Sequence, residues 1–103
     1  MQIKVQQTES GGMLVELEGP VTRETVPEIR KKLFKIAKGS GGSRFEVSLS
    51  GVSFMDTSGI AMLVELLKLL SKAGARLDVS GASREIKRMI QLACLDQALS
   101  VRD

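Results

Sequence analysis

Apolar and polar positions change rhythm along the chain, and the changes predict the elements. In residues 2–7, QIKVQQ, Ile3 and Val5 alternate with polar side chains, which predicts a short edge strand. Thr8 to Gly12 supplies turn residues, and residues 13–18, MLVELE, form the next strand of a hairpin. Gly19-Pro20 is expected to stop that strand, since proline has no N–H for a sheet ladder. Val26, Ile29, Leu33 and Ile36/Ala37 then recur at helical spacing. Thr22 is the expected cap of that helix, with Thr25 as the alternative, and Pro27 sits near the first turn. Gly39 to Ser43 reads as the loop that ends it.

Period-two alternation returns in residues 44–49, RFEVSL, with Phe45, Val47 and Leu49 on one side, and Val52 to Met55 extends the apolar character. Asp56-Thr57-Ser58-Gly59 follows, then a helix from about residue 60 to 72 closed by Gly74. Residues 75–79, ARLDV, form another strand. Ser83 caps a last helix over 84–94, with Ile86, Met89, Ile90 and Ala93 on its apolar face and Leu92 beside it. Leu95 to Val101 fits either a short helix or a terminal strand. Helices between successive strands require crossover connections, so the sheet is mostly parallel with an antiparallel hairpin at its start. The predicted class is α/β.

The central helix is apolar over more of its surface than one sheet contact needs. At about 100° per residue, Leu70, Leu63, Leu67, Ile60 and Val64 share one arc, the predicted core face. Glu65, Lys68 and Lys72 form the wet face. Leu69, Met62 and Leu66 lie on the far side, bringing the apolar arc to about 220°. Either neighbouring helices cover the excess, or it is an exposed strip for docking, where Met62 would adapt to an irregular partner.

The composition narrows the function. With 103 residues and 43% hydrophobic content, the chain is a single domain, 1–103, with one core. There is no histidine and one cysteine, Cys94. Serine-histidine and cysteine-histidine catalysis are excluded, and so are ordinary zinc and non-haem iron sites. Cys94, in an apolar context, is expected to be a buried and inert thiol. The net charge of +3 is spread over both halves, and three phenylalanines are the only aromatics, which argues against a nucleic-acid surface built on stacking. No apolar run is long enough for membrane insertion, and the start of the chain lacks a signal-peptide layout, so a cytoplasmic protein is expected. Arg84, Lys87 and Arg88 make a basic helix face, either simply solvated or a support for an acidic partner.

The chemistry concentrates at Asp56-Thr57-Ser58-Gly59. An acid, two hydroxyls and a glycine stand where a helix begins, and the first amides of a helix lack partners within it. Asp56 or Thr57 can cap the helix, and the same place can carry a phosphate, covalently on Thr57 or Ser58. An aspartic protease needs a second carboxylate facing the first, and a phosphate-binding P-loop needs more glycines and a lysine. Neither pattern is present, and no enzyme, cofactor or metal is expected.

With these residues in view, the sequence resembles a STAS domain, the family of bacterial anti-sigma factor antagonists. The likeness rests on Leu17-Glu18-Gly19, on Val47-Ser48-Leu49-Ser50-Gly51-Val52 leading into Phe54-Met55-Asp56-Thr57-Ser58-Gly59-Ile60, on Ala73-Gly74-Ala75-Arg76-Leu77, and on the helix from Ile86-Lys87-Arg88 to Leu95. The resemblance implies a four- to five-stranded mixed sheet with flanking helices. It also implies a module that binds an anti-sigma factor with serine/threonine kinase activity and so frees a sigma factor. In antagonist members the hydroxyl residue after the motif aspartate is phosphorylated, and the matching position is Thr57, with Ser58 as the alternative. The surface expected to meet the partner is Asp56, Thr57, Ser58, Gly59 and Ile60, with Met62, Leu66 and Leu69. A second branch of the family, the cytoplasmic subunit of Mla-type phospholipid-trafficking ABC transporters, docks a transport ATPase with the same helix. On that alternative Thr57 is a contact residue.

Overall fold

A computed structural model describes residues 2–8, 11–40, 44–93 and 95. Its elements are β1 (Gln2–Gln7), β2 (Met13–Val21), α1 (Val26–Ser40), β3 (Arg44–Met55), α2 (Thr57–Lys72), β4 (Arg76–Ser80) and α3 (Arg84–Leu92). The four strands form one mixed sheet in the order β1-β2-β3-β4. β1 runs antiparallel to β2, while β2 with β3 and β3 with β4 are parallel. This is the α/β sheet with an initial hairpin that the pattern predicts.

The register explains the two faces. Met13, Phe45 and Leu77 align across the sheet, as do Val15, Val47 and Val79. Phe45, Leu77 and the three valines are buried. Ile29, Leu33 and Ala37 of α1, Leu63, Leu66 and Leu70 of α2, and Ile86 and Ile90 of α3 join them in one core. Each fully buried leucine or isoleucine contributes about 1.5–3 kcal/mol. The opposite face is polar. There Ser80 donates to Glu46 at 2.7 Å, and the fully buried Asp78 carboxylate accepts from the Arg44 and Arg76 Nε atoms at 3.3 and 3.1 Å.

β3 does not alternate evenly along its whole length. Its register against β2 shifts between Glu16 and Glu18 and again between Gly19 and Pro20. Each shift leaves β3 one residue longer than its partner, so inward positions step from Leu49 to Val52 to Met55. Phe54 is thereby turned outward and is 59% exposed. Gly51 fits because a Cβ there would lie 2.8 Å from Glu18 Cγ and 3.0 Å from the Leu17 carbonyl.

Four expected boundaries moved. Gly19-Pro20 does not stop β2, which runs on to Val21. β1 pairs with β2 only as far as Glu18, so the missing Pro20 N–H faces no strand on that side. Gly39 and Ser40 belong to α1. An exposed glycine in a last helical turn costs only about 1 kcal/mol. α2 begins at Thr57, not residue 60, because Asp56 already occupies the cap. α3 ends at Leu92. Cys94 and residues 96–101 lie outside the described residues.

Thr25, the alternative to Thr22, holds the position directly before α1, and its carbonyl accepts the Ile29 N–H at 3.2 Å. Thr25 Oγ1 accepts the Thr22 N–H at 2.9 Å and donates to the Pro20 carbonyl at 2.9 Å, so it braces the turn before the helix. Ser83 caps α3 as predicted, accepting the Ile86 N–H at 3.2 Å. α2 ends as predicted at Gly74, whose φ of 76° closes a Schellman turn with Gly74 N–H on the Ser71 carbonyl and Ala75 N–H on that of Leu70.

Gly81 links β4 to α3 with φ at 68°, and a Cβ there would lie 2.8 Å from Ser50 Cβ. Gly81→Ala combines left-handed strain with this overlap and is expected to cost about 2 kcal/mol. Urea unfolding should show a lower midpoint at unchanged slope.

Candidate functional site

The site is built where β2 and β3 end and α2 begins. β3 delivers Asp56, whose N–H donates to the Val21 carbonyl at 3.1 Å. Its backbone is extended, with φ −102° and ψ −175°, the usual conformation of a helix cap. One carboxylate oxygen accepts the Ser58 N–H at 2.9 Å. The other accepts the Arg23 N–H at 2.9 Å. A single side chain therefore caps α2 and ties it to the β2–α1 turn. The Gly59 N–H closes onto the Asp56 carbonyl at 3.0 Å.

These bonds hold Asp56 charged. Its pKa lies below the ordinary carboxylate value of 3.8, chiefly because the Arg23 N–H points at it. Partial desolvation opposes this, while the Ser58 and Gly59 amides and the Ser58 side chain add to the lowering. The stability that Asp56 contributes is thus present above about pH 3.8 and is lost as pH falls from there through the folded-state value.

Gly59 is buried, and a Cβ there would stand 2.6 Å from Met55 Cγ and 3.0 Å from Val21 Cγ1. The first turn of α2 therefore sits directly on the ends of both strands. Gly59 serves this packing and is not open to a partner, contrary to expectation. Thr57, the first residue of the helix, points away from the contact and is exposed, and Ser58 is half-buried. Among the described residues the Thr57 hydroxyl has no hydrogen-bond partner.

Three of the apolar residues expected to dock a partner, Ile60, Met62 and Leu66, lie in the core, and Ile60 also edges the surface at 9% exposure. Met62 is 1% exposed and Leu66 0%. Leu69 is half-buried and packs against the core. α1 packs against α2, and the Arg30–Glu65 ion pair at 2.7 Å joins the two helices. The wide apolar arc is thus explained by two contacts, one with the sheet and one with α1.

An apolar opening exists on the other side of Thr57. Thr57, Ile60 and Ala61 of α2 face Met89, Leu92 and Ala93 of the α3 end across an open cleft of about 470 Å³. Leu92 is 76% exposed. Of the expected partner surface, Thr57 and Ile60 line this cleft, and Asp56 and Ser58 flank Thr57 in the capped turn. Ala61, Met89 and Leu92 were missed as surface residues. The available signal was Leu92, which falls off the Ile86/Ile90 stripe of its own helix. Among the described residues no group of three or more His, Cys, Asp or Glu side chains could hold a metal ion. Among the described residues no helix is long and apolar enough to cross a membrane.

The fold and this helix start define a small α/β module with an exposed hydroxyl beside an apolar cleft. The chain belongs to the STAS domain family, whose model matches residues 2–103. It is 29% identical over 89 residues to the anti-sigma-B factor antagonist of Staphylococcus epidermidis, covering 86% of this chain and 82% of the relative. The solved anti-sigma factor antagonist from Mycobacterium paratuberculosis has the same fold, with a TM-score of 0.86 and 20% identity over 97% of this chain and 83% of that one. So does the Bacillus cell fate determinant SpoIIAA in its phosphorylated form, with a TM-score of 0.75 and 17% identity over 99% and 92% of the two chains.

Two variants test the seating of α2. Asp56→Asn is expected to lower Tm at pH 7, with the gap to wild type shrinking as pH falls below about 3.8. Thermal melts across pH 2.5–7 measure this, and a gap independent of pH would rule out the charge. Gly59→Val overpacks the Met55 and Val21 contact and is expected to cost about 1–3 kcal/mol in denaturant unfolding.

Proposed function

We propose that this protein is a cytoplasmic anti-sigma factor antagonist, a binding module whose grip on an anti-sigma factor kinase is switched by phosphorylation of Thr57. The observation that carries this reading is the placement of Thr57. Thr57 is exposed at the first position of α2, between the cap residue Asp56 and the apolar cleft. The antagonist relatives and the phosphorylated SpoIIAA fold support it.

The chemistry divides between the two proteins. This chain presents an acceptor oxygen on a rigid helix start. The partner supplies ATP and the phosphoryl-transfer machinery. Asp56 is a poor base for the threonine proton, because its lowered pKa keeps it charged and amides hold both of its oxygens. It positions the acceptor, and the base belongs to the kinase. Ser58 is the less favoured acceptor, since its half-buried side chain lies on the capped turn.

Phosphate at Thr57 adds about −1.5 to −2 charge next to the Asp56 carboxylate and at the rim of an apolar cleft. An apolar partner surface seated there would have to desolvate that charge, so modification releases the partner. Unmodified protein binds, and the sigma factor is freed. The switch requires no catalysis by this chain.

Incubation with the kinase and ATP should add about 80 Da, mapped by mass spectrometry to Thr57. Thr57→Ala should accept no phosphate and stay bound, while Thr57→Glu should bind at least tenfold more weakly. Stable co-purification with a transport ATPase, with no phosphate at residues 57 or 58 under any growth condition, would overturn the reading.

A further inference from the structure

β1 lies at one end of the sheet, with β2 on one side and no strand on the other among the described residues. In an antiparallel pair only every second residue bonds its neighbour, so alternate residues of β1 turn their N–H and C=O groups outward. The side chains of β1 are also incompletely covered. Ile3, Val5 and Gln7 stand opposite Leu17, Val15 and Met13, so they share the face on which the helices pack. One row of that face runs Val79, Val47, Val15 and Val5 across the four strands. The first three are fully buried, yet Val5 is 44% exposed. The helical layer stops short of β1, and an open groove of about 480 Å³ remains between Val5, Met13 and Ile36. The core row thus runs out into solvent at a strand edge.

We propose that β1 pairs antiparallel with β1 of a second copy, joining two four-stranded sheets into one of eight strands. The sequence of β1 selects the register. A ladder that sets odd positions opposite even ones would place Val5 beside Lys4 or Gln6 and put the two helical layers on opposite faces. Of the two longest ladders that remain, one is centred on Lys4 and sets two lysines directly opposite, which destabilises a strand pair. The other is centred on Val5. It places Val5 opposite Val5, Lys4 opposite Gln6 and Ile3 opposite Gln7, with no like charges facing. Lys4 keeps its own partner, Glu18 on β2 at 3.3 Å, so its charge is already offset. The valine row then continues from one copy into the other, and the two Val5 side chains cover each other. An unrelated segment would need an apolar residue opposite Val5 and no cation opposite Lys4, and β1 itself supplies both.

The seam uses no residue of the Thr57 cleft, so the dimer carries two copies of that site. The proposal does not depend on what binds there. The contact is one short strand wide, at the low end of interface sizes, so association depends on concentration.

Sedimentation equilibrium of the full chain, run up to about 1 mM, should show a monomer–dimer equilibrium. Val5→Glu sets two carboxylates directly opposite and should weaken it at least tenfold. The register is read by cross-linking in a Cys94→Ser background, which removes the chain's own thiol. Directly opposite residues of an antiparallel ladder have Cα atoms about 4.5–5.5 Å apart, within disulfide reach. Val5→Cys should therefore form a disulfide dimer under mild oxidation. A mixture of Ile3→Cys with Val5→Cys, the pair that a Lys4-centred ladder would juxtapose, should give no mixed dimer. The cross-linking also serves if the glutamate variant fails to fold. A monomer at every concentration, a dimer that Val5→Glu leaves unchanged, or a mixed dimer formed in preference to the Val5→Cys one overturns the proposal. A chain that stays monomeric but binds the kinase more weakly as Val5→Glu would give the edge to the partner protein and overturns the dimer as well.

Discussion

The structure turns on how the first turn of α2 is seated on the ends of β2 and β3. A helix that starts over two strand ends must bring its backbone very close to them, and here only a hydrogen fits between Gly59 and the Met55 and Val21 side chains. Asp56 completes the seat by accepting amides from both α2 and the β2–α1 turn. Because this turn is fixed from below by packing and from the side by hydrogen bonds, Thr57 can stand exposed and still be held in one place. A modifiable hydroxyl needs that combination, since a kinase must reach it and the phosphate must alter a defined surface.

The same seating divides the work of the three helices. α1 packs against α2, in which Met62 and Leu66 are closed to solvent. α3 leaves the opposite flank open, so the apolar cleft forms between Ile60 and Leu92, next to Thr57. Association at such a place gains from apolar burial and is sensitive to one added charge at the rim.

Much of this was legible in the chain. The inward positions of β2, β4 and the first half of β3, the α1 stripe, Ile86 and Ile90 of α3, and the stops at Gly74 and Ser83 follow from short-range periodicity and turn chemistry, and the structure keeps them. The α2 core face, by contrast, is turned toward Met62 and Leu66 and leaves Val64 and Leu67 half-buried. The helix-starting role of Asp56-Thr57-Ser58-Gly59 was legible for the same reason, because capping depends on residues one to three positions apart. Gly19-Pro20 misled because its effect depends on the length of β1, a strand twelve or more residues away. The two register shifts of β3 were hidden because each is a relation between strands and not a property of one segment.

The docking surface shows the division most sharply. Sequence alone determined that α2 has more apolar surface than a single sheet contact uses, since that is a count of side chains around one axis. It could not determine which part of that surface is covered. Ile60, Met62 and Leu66 all lie in the core, yet of the three only Ile60 also lines the open cleft toward α3. The surface role of Leu92 and the cleft beside Thr57 likewise arise from where α3 ends relative to α2. Periodicity is written within each helix, but exposure is decided between helices, and so the chain specified the capped start of α2 while the tertiary structure chose the surface around it.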